Sequence, residues 1–194
     1  ISSNVDTHTY LFLDDVITQT GAGFPTSWVQ LSADYQMDPN VVNDPVFNSD
    51  IKDGLKSLPT LSLVMDQDSW FNPSSSPAVG GIIPNSLQRG SRWERSVSAE
   101  LIHSDGSTGF QIDAGVRVHG GGSRRLTSQP KTTFRLEFRG QYGPRSLNYP
   151  LFGPTAVDSF DTLVLRATYD DAWSGAGRAK SSYIRDPWLA ETQL

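Results

Sequence analysis

The chain has 194 residues, which is long enough for a domain with a substantial hydrophobic core, and 37% of them are hydrophobic. Its net charge of −5 and pI near 5.1 argue against a sequence-independent grip on nucleic acid, because proteins that bind in this way usually have a pI above about 9. No apolar run approaches the roughly 20 residues of a membrane span, and the absence of Cys excludes disulfides and thiolate chemistry.

The charges are distributed unevenly along the chain. Residues 1–79 hold ten acidic residues and two lysines, a balance of −8, whereas residues 80–194 hold fourteen basic and eleven acidic residues, a balance of +3. The opening residues contain neither an initiator Met nor a basic-then-apolar signal segment. We therefore expect the chain to be part of a longer precursor or a trimmed form of one.

Residues 1–57 are predicted to form an N-terminal extension, or junction, ahead of a main domain at 58–194. Residues 7–16 (THTYLFLDDV) read as a short strand that ends in an acidic turn. The stretch from Gly21 to Pro45 is polar and turn-rich and shows no clear periodicity, so we expect it to be irregular.

One helix is predicted in this extension, near residues 45–57. Asp44 and Pro45 supply an N-cap and a first-turn proline. The apolar residues that follow recur at helical spacing, at positions 47, 51, 55 and 58. Pro59 ends the helix, because a proline ring cannot continue the backbone hydrogen bonds.

The main domain is predicted to be rich in β-strands. Segments that indicate strands lie at residues 60–65, 96–103, 110–119, 132–139 and 161–168. The last of them, DTLVLRAT, is mostly apolar, which favours a central position in its sheet. Residues 72–78 read as a surface loop, and a helix capped by Asp186 and Pro187 is predicted from Tyr183 onward. The expected fold class is α+β, with a mostly antiparallel sheet and few helices.

The third and fourth of these strands carry the strongest signal. On the third, apolar residues at even positions from 110 to 118 alternate with polar ones, and the fourth repeats this pattern from Thr132 to Arg139. A glycine-rich, basic loop, GGGSRRLTSQPK (Gly120–Lys131), joins them. One face is therefore expected to be apolar, while the other carries several basic side chains beside a flexible loop. Such a surface suits anionic oxygen atoms, with phosphate the most obvious candidate and the ligand left open.

The arginines of these strands allow two interpretations. Arg117, Arg135 and Arg139 could steer an anionic ligand, or they could form ion pairs across the sheet. We favour the ion pairs. The expected partners are Glu100, Asp113 and Glu137.

Two further polar residues are expected to be structural. Arg166 lies in an apolar strand, where a guanidinium needs a carboxylate, and Asp170 or Glu100 is the expected partner. His119 ends the third strand beside the loop. A strand-end hydrogen bond is the favoured interpretation of His119, although it could touch a ligand.

No metal site is expected. Asp14–Asp15 and Asp170–Asp171 are adjacent acids without the alternating ligand spacing of a calcium loop, and such pairs in turns are usually solvated. His8, His103 and His119 are far apart and form no ligand motif. Catalytic residues stay unidentified, since no Ser lies in a GxSxG elbow.

Five tryptophans suggest a different function, because exposed indole rings stack on sugars. A β-rich domain could bind carbohydrate in this way. Burial is the more usual fate of such large apolar groups, so two or three of the five are expected in the core. They are Trp28, Trp70, Trp93, Trp173 and Trp188.

Several motifs, taken in order, resemble the spore coat protein H (CotH) kinase family, in particular its large multidomain bacterial members. They are LPTLSLVMD (58–66), WERSVSAELIHSDG (93–106), FQIDAGVRVHGGGSRR (110–125), PK (130–131), YPLF (149–152), FDTLVLRA (160–167) and YIRDPW (183–188). The similarity runs from about Leu58 to the end of the chain. The preceding THTYLFLDDVITQTG is similar to the junction after an upstream sandwich-type module in these proteins.

The resemblance implies the N-lobe of an atypical protein-kinase-like fold that transfers phosphate from ATP, with Mg²⁺, to Ser and Thr hydroxyls of a protein. In this family a basic residue at a loop-to-strand junction reaches the phosphates, and the matching residue here is Lys131. The loop before it carries the other candidate nucleotide-binding residues: Gly121, Gly122, Ser123, Arg124 and Arg125.

The resemblance also implies that part of the kinase is missing. The family's metal-binding acids and remaining nucleotide pocket lie in a C-terminal half that follows the matching region, so we expect little or no catalysis from this chain alone. A secreted or cell-surface bacterial location is expected. The alternative function is a non-catalytic binding or structural module on a cell surface or secreted scaffold, with carbohydrate as one candidate ligand.

Overall fold

The computed structural model describes residues 7–126 and 132–167. The helices among these residues are α1 Leu13–Thr18, α2 Pro39–Val42, α3 Ile51–Lys56 and α4 Gln67–Phe71. The strands are β1 Ser27–Trp28, β2 Leu31–Ser32, β3 Thr60–Val64, β4 Arg95–Ile102, β5 Gln111–Val118, β6 Phe134–Glu137, β7 Leu147–Asn148, β8 Ser159–Phe160 and β9 Thr162–Leu165. Two 3₁₀ turns lie at Ser91–Trp93 and Gly122–Arg124. This part of the chain is thus α+β with antiparallel strands and short helices, as expected.

Five of the strands form one antiparallel sheet in the order β3–β4–β5–β6–β9. Neighbours β4, β5 and β6 follow one another along the chain, whereas an excursion that contains the small β7–β8 pair separates β6 from β9. The strands predicted at 60–65, 96–103, 110–119 and 132–139 are confirmed, with bounds that differ by one or two residues.

Among the described strands, the last strand does not have the central position that was predicted. This strand, β9, pairs with β6 and lies at one end of the sheet as described. Leu163 and Leu165 face the core, while Val164 between them is 47% exposed on the other face. The run is apolar because both faces carry aliphatic side chains, yet only one face is buried.

The two faces of the sheet differ in character. Because successive side chains of a strand point to opposite sides, alternate positions of the five strands build a single apolar face. Its central residues Ala99, Ala114, Val116 and Leu136 have no exposed surface. The residues packed over this face include Trp70, Phe71, Ile82, Ile83, Leu126 and Leu147. The opposite face carries polar and charged side chains, and the candidate site lies there.

The N-terminal region departs from its prediction, since residues 7–12 form no strand and helix α1 follows them. Asp14 and Asp15, interpreted above as an acidic turn, occupy the first turn of α1, where carboxylates interact favourably with the helix dipole. The extended segment before α1 lies on the polar face. There the Thr9 N–H donates to Glu100 Oε2 at 2.8 Å.

The helix predicted over residues 45–57 is shorter than expected, because α3 spans only Ile51–Lys56. Asp44 does accept a hydrogen bond from a backbone N–H, that of Val46 at 2.7 Å, but turns occupy the residues before α3. Asn, Ser and Asp at 48–50 favour turns, since their side chains compete for backbone hydrogen bonds.

Tryptophans in the described chain are packed against other residues. Trp93 is 7% exposed, and Trp28 and Trp70 pack against the core. These three agree with the prediction that two or three of the five are buried, whereas Trp173 and Trp188 lie outside the described residues, as does the helix predicted from Tyr183.

Candidate functional site

The loop after β5 leaves the sheet at Gly120, a position that favours glycine. Gly120 has a φ of 121°, and a Cβ there would overlap the hydroxyl of Ser123. The 3₁₀ turn Gly122–Arg124 follows, and the next apolar side chain, Leu126, is 2% exposed. The described part of the loop is therefore compact and attached to the core.

Arg124, a predicted phosphate contact, is 3% exposed. Its Nε donates to the Ser86 carbonyl at 2.8 Å and its Nη2 donates to the Gln88 carbonyl at 2.5 Å. Burial lowers the pKa of this guanidinium, and the nearby cations Arg89 and Arg117 lower it further. Because two of its nitrogens are used on carbonyl oxygens, Arg124 fastens the loop to the segment that precedes β4.

The other candidate loop residues are more accessible. Gly121, Gly122 and Arg125 are exposed, and the space beside Gly121 is open. Within the described residues, the N–H groups of Gly121, Gly122 and Ser123 have no hydrogen-bond acceptor. Lys131 lies outside the described residues, so its contact with phosphate stays a prediction.

Five charged side chains meet on the polar face of the sheet, and we name them the arginine–glutamate cluster. Glu94 lies just before β4, Arg117 in β5, Arg135 and Glu137 in β6, and Arg139 shortly after β6. The two carboxylate side chains are 1% and 5% exposed, while those of the arginines are 16% to 46% exposed. The acids are therefore buried beneath cations that reach the solvent.

Four side chains contact the carboxylate of Glu137. Its Oε1 lies 3.2 Å from Arg117 Nη2 and 2.7 Å from Arg135 Nε, although the latter pair is not aligned as a hydrogen bond. Its Oε2 accepts hydrogen bonds from Arg139 and from the Thr162 hydroxyl, each at 3.2 Å. This number of partners offsets the desolvation of a buried carboxylate.

Glu94 is the second buried acid of the cluster. Its Oε2 accepts from Arg139 Nε at 3.1 Å and from the Tyr142 hydroxyl at 3.3 Å. The charge of Glu94 raises the pKa of Arg139, and burial raises the pKa of Tyr142. Arg117 Nε lies 3.7 Å from Glu94 Oε1, so this arginine interacts with both acids.

A glycine in β5 makes room for the ring of Tyr142. Gly115 lies opposite Glu137 in the strand register, on the polar face. A Cβ at Gly115 would overlap the Tyr142 ring. The turn after β6 therefore packs directly on the backbone of β5, and it covers the cluster from one side.

The predicted cross-strand ion pairs are confirmed for Glu137, which contacts all three arginines. The other two predicted partners have different neighbours, because Glu100 accepts from the Thr9 N–H and Asp113 lies against Gly143. In the strand register Arg117 lies opposite Arg135, which leaves both side chains within reach of Glu137.

Sequence reasoning missed Glu94 and Tyr142. Glu94 lies two residues before Ser96, and alternate residues of a strand share a face, so Glu94 lies on the polar face of β4. This alternation could have been read from the sequence. Nothing in the pattern around Tyr142 indicates its contact, since that contact depends on how the turn after β6 folds back.

His119 extends the polar face beyond the end of β5. Its backbone N–H donates to the Thr133 carbonyl at 2.9 Å, so the predicted strand-end hydrogen bond is made by the main chain. Across the described ranges, no residue forms a hydrogen bond with the imidazole ring. Burial lowers the pKa of His119, and three cations lower it further: Arg117, Arg135 and Arg124. The neutral form of the ring is therefore favoured more than in a solvated histidine.

In the described residues, no three His, Asp or Glu side chains converge as a possible metal site. Asp14 of α1 forms an ion pair with Lys52 of α3. The Asp170–Asp171 pair, one of whose members was a predicted partner of Arg166, lies outside the described residues.

No helix in the described chain combines the length and apolar character that crossing a membrane requires.

No family model, curated protein or solved structure matches this chain. The resemblance to the CotH kinase family therefore depends on the order and spacing of the sequence motifs and stays a hypothesis. The fastened loop and the arginine–glutamate cluster are properties of the fold itself and do not depend on that resemblance.

Proposed function

We propose that this chain is the N-terminal portion of a CotH-like atypical protein kinase, in which it contributes the sheet and the basic loop that hold the phosphates of ATP. The intact protein would transfer phosphate to Ser or Thr hydroxyls of a protein substrate. A bacterial secreted or cell-surface location belongs to the same proposal, which the motif series from Leu58 onward supports.

The observation that carries the proposal is that the loop has a buried residue that anchors it and exposed residues that can bind a ligand. Arg124 fixes the base of the loop by two hydrogen bonds to carbonyl oxygens. Arg125 and the Gly121–Gly122 backbone remain exposed, and the N–H groups there have no acceptor in the described chain. A fixed loop with accessible donors binds an anion at a lower entropic cost than a mobile loop would.

The phosphate tail of ATP fits these residues chemically. Backbone N–H groups near glycines can approach phosphate oxygens closely, and Arg125 adds a positive charge. By resemblance, Lys131 would contribute an ammonium group. ATP would supply the phosphoryl group to be transferred, and the chain's own residues would position its tail and neutralise part of its charge.

Positioning and charge neutralisation account for most of the catalysis of phosphoryl transfer, and both require Mg²⁺ and the carboxylates that bind it. In our proposal those acids belong to a C-terminal half of the kinase. The chain alone is therefore expected to bind nucleotide weakly and to transfer little or no phosphate.

Thermal unfolding with and without ATP tests the proposal. We expect ATP to raise the melting temperature of the chain, and we expect Arg125→Gln to reduce that increase. Lys56→Gln is the matched control, because Lys56 is exposed at the C-terminal end of α3 and its ion pair in the described chain is with the exposed Asp53. Absence of any stabilisation by ATP at millimolar concentration would contradict the proposal.

A radiolabelled ATP assay with Mg²⁺ or Mn²⁺ tests the expected inactivity separately. Robust phosphate transfer to a protein substrate would show that the chain holds a complete catalytic site. The carbohydrate-binding alternative stays a prediction that a glycan array can test. Trp28, Trp70 and Trp93 are packed against other side chains, so these three do not favour it.

A further inference from the structure

The polar face of the sheet ends in a concentration of positive charge at His119. This residue is two positions after Arg117, so both side chains leave β5 on the same face. Arg117 lies directly opposite Arg135 of β6. Three basic side chains from two neighbouring strands are thus brought together where the loop begins.

The acids of the arginine–glutamate cluster do not balance this charge. Glu94 and Glu137 provide two negative charges against the three guanidinium groups of the cluster. The oxygens of Glu137 are already shared among Arg117, Arg135, Arg139 and Thr162. One cation therefore remains uncompensated within the cluster.

The loop adds further positive charge beside this cluster. Arg124 is buried against carbonyl oxygens, and no acidic side chain is among its hydrogen-bond partners. The charged groups that act on His119 are Arg117 of β5, Arg135 and Glu137 of β6, and Arg124 of the loop. Cations outnumber acids there by three to one, so an incoming anion would be attracted.

Donor groups are also available at this position. In the described chain the His119 ring has no hydrogen-bond partner. The Arg135 Nε is buried 2.7 Å from Glu137 Oε1 and Nη2 donates to the Thr162 hydroxyl at 3.3 Å, which leaves Nη1 as the donor for a ligand. The Arg135 side chain is 32% exposed, so a ligand can reach it from solvent. A phosphate oxygen accepts well from both imidazolium and guanidinium groups.

We propose that His119, Arg117 and Arg135 form a binding site for a phosphate chain at the end of the polar face. This inference deepens the proposed function and rests on it. It places the phosphate contacts on the sheet as well as on the loop, and it assigns Arg124 the role of a positioning residue. The shared ligand chemistry is a di- or triphosphate, either the tail of a nucleotide or a free polyphosphate.

The probes are sodium tripolyphosphate and ATP, each titrated into the chain by calorimetry at pH 6 and pH 8. We expect His119→Gln to weaken the binding of both probes by roughly tenfold at pH 6, as for loss of one charge-assisted hydrogen bond, and by less at pH 8. Lys56→Gln, at the opposite end of the sheet, should leave both affinities unchanged.

The outcomes separate the two proposals. If ATP binds and His119→Gln has no effect, the inference is overturned while the proposed function stands. If tripolyphosphate binds in a manner that depends on His119 but ATP does not bind, the phosphate site is supported and the kinase proposal fails. If neither probe binds, both proposals fail.

A spectroscopic measurement keeps the test independent of stability. The ring protons of His119 are followed by NMR as pH is lowered, with and without saturating tripolyphosphate. A bound anion favours the imidazolium form, so the pKa of His119 should rise when the probe is present. An unchanged pKa at saturation would place the ligand elsewhere and overturn the inference.

Discussion

Arg117 and Arg135 lie directly opposite each other on β5 and β6, and both contact the same carboxylate oxygen, Glu137 Oε1. Like charges in such a position normally destabilise a pair of strands. The shared carboxylate removes this repulsion. The stability of the central strand pair therefore depends strongly on the Glu137 side chain, which both arginines share.

Glu137→Gln should strongly destabilise the fold. The substitution leaves three arginines with one acid, and it keeps the size of the side chain. Removing one partner of a buried ion pair typically costs 3–5 kcal/mol, and we expect about 3 kcal/mol here because the arginines reach solvent. Urea denaturation gives the free energy of unfolding.

The matched control for this substitution is Asp161→Asn, which removes an exposed acid next to β9 and should change stability by less than about 0.5 kcal/mol. The double variant Glu137→Gln, Arg135→Gln should recover part of the loss, since it also removes one of the opposed charges. Equal stability of wild type and Glu137→Gln would contradict the assigned role of the carboxylate.

Arg124→Gln should weaken the attachment of the loop to the core. The variant loses the two hydrogen bonds to the Ser86 and Gln88 carbonyls, and bonds of this charged kind contribute about 1.5–3 kcal/mol each to stability. Arg125→Gln is the control, because Arg125 is exposed. Hydrogen exchange at the backbone N–H of residue 125, which donates to the Gly122 carbonyl at 3.0 Å, should be faster in Arg124→Gln alone, and equal rates in both variants would rule out this anchor.

A pair of glycine substitutions tests the packing of Tyr142. Gly115→Ala places a methyl group where the Tyr142 ring lies, so we expect a loss of about 1–3 kcal/mol. Gly54→Ala, in the open surroundings of α3, should instead stabilise the chain by about 0.5–1 kcal/mol. The free energies of unfolding come from urea titration, and combining Gly115→Ala with Tyr142→Ala should relieve the overlap. A neutral Gly115→Ala would mean that the ring is free to move.

Stability should fall in mild acid in a way that depends on His119. The pKa of His119 in the folded state is lower than its ordinary value of 6.5, so the unfolded chain binds the proton more readily. The contribution of the neutral ring is therefore fully present above pH 6.5, and it is lost as pH falls from there through the folded pKa. His119→Gln should flatten this part of the stability profile, measured by urea denaturation between pH 5 and pH 8. A profile that is identical in both proteins would contradict the assigned shift.

Much of the sheet could be predicted because its two faces differ in polarity. The alternation around Ala114 and Leu136 is a local property of the sequence, and it places the core on one side of β5 and β6. It also places Glu137 and its arginines together on the other side, so one of the ion-pair partners was predictable.

The remaining features depend on pairing and chain reversal, which the local pattern does not contain. Arg124 looks like a solvated loop cation in sequence, but the carbonyls that bury it come from a segment almost forty residues earlier. Similarly, the apolar sequence of β9 favours a central position, although the place of β9 in the sheet is set by its pairing with β6. The segment before α1 was misassigned because its neighbours on the polar face are distant in the chain.

The charges of the cluster also bear on how β5 and β6 find their alignment. A shift of one residue between these strands would move Glu137 into the hydrocarbon interior and bring Leu136 out among guanidinium groups. Both changes carry a large free-energy penalty. We therefore expect misaligned forms of this hairpin to be scarce during folding, so that the polar side of the sheet, and not its core alone, selects the native pairing.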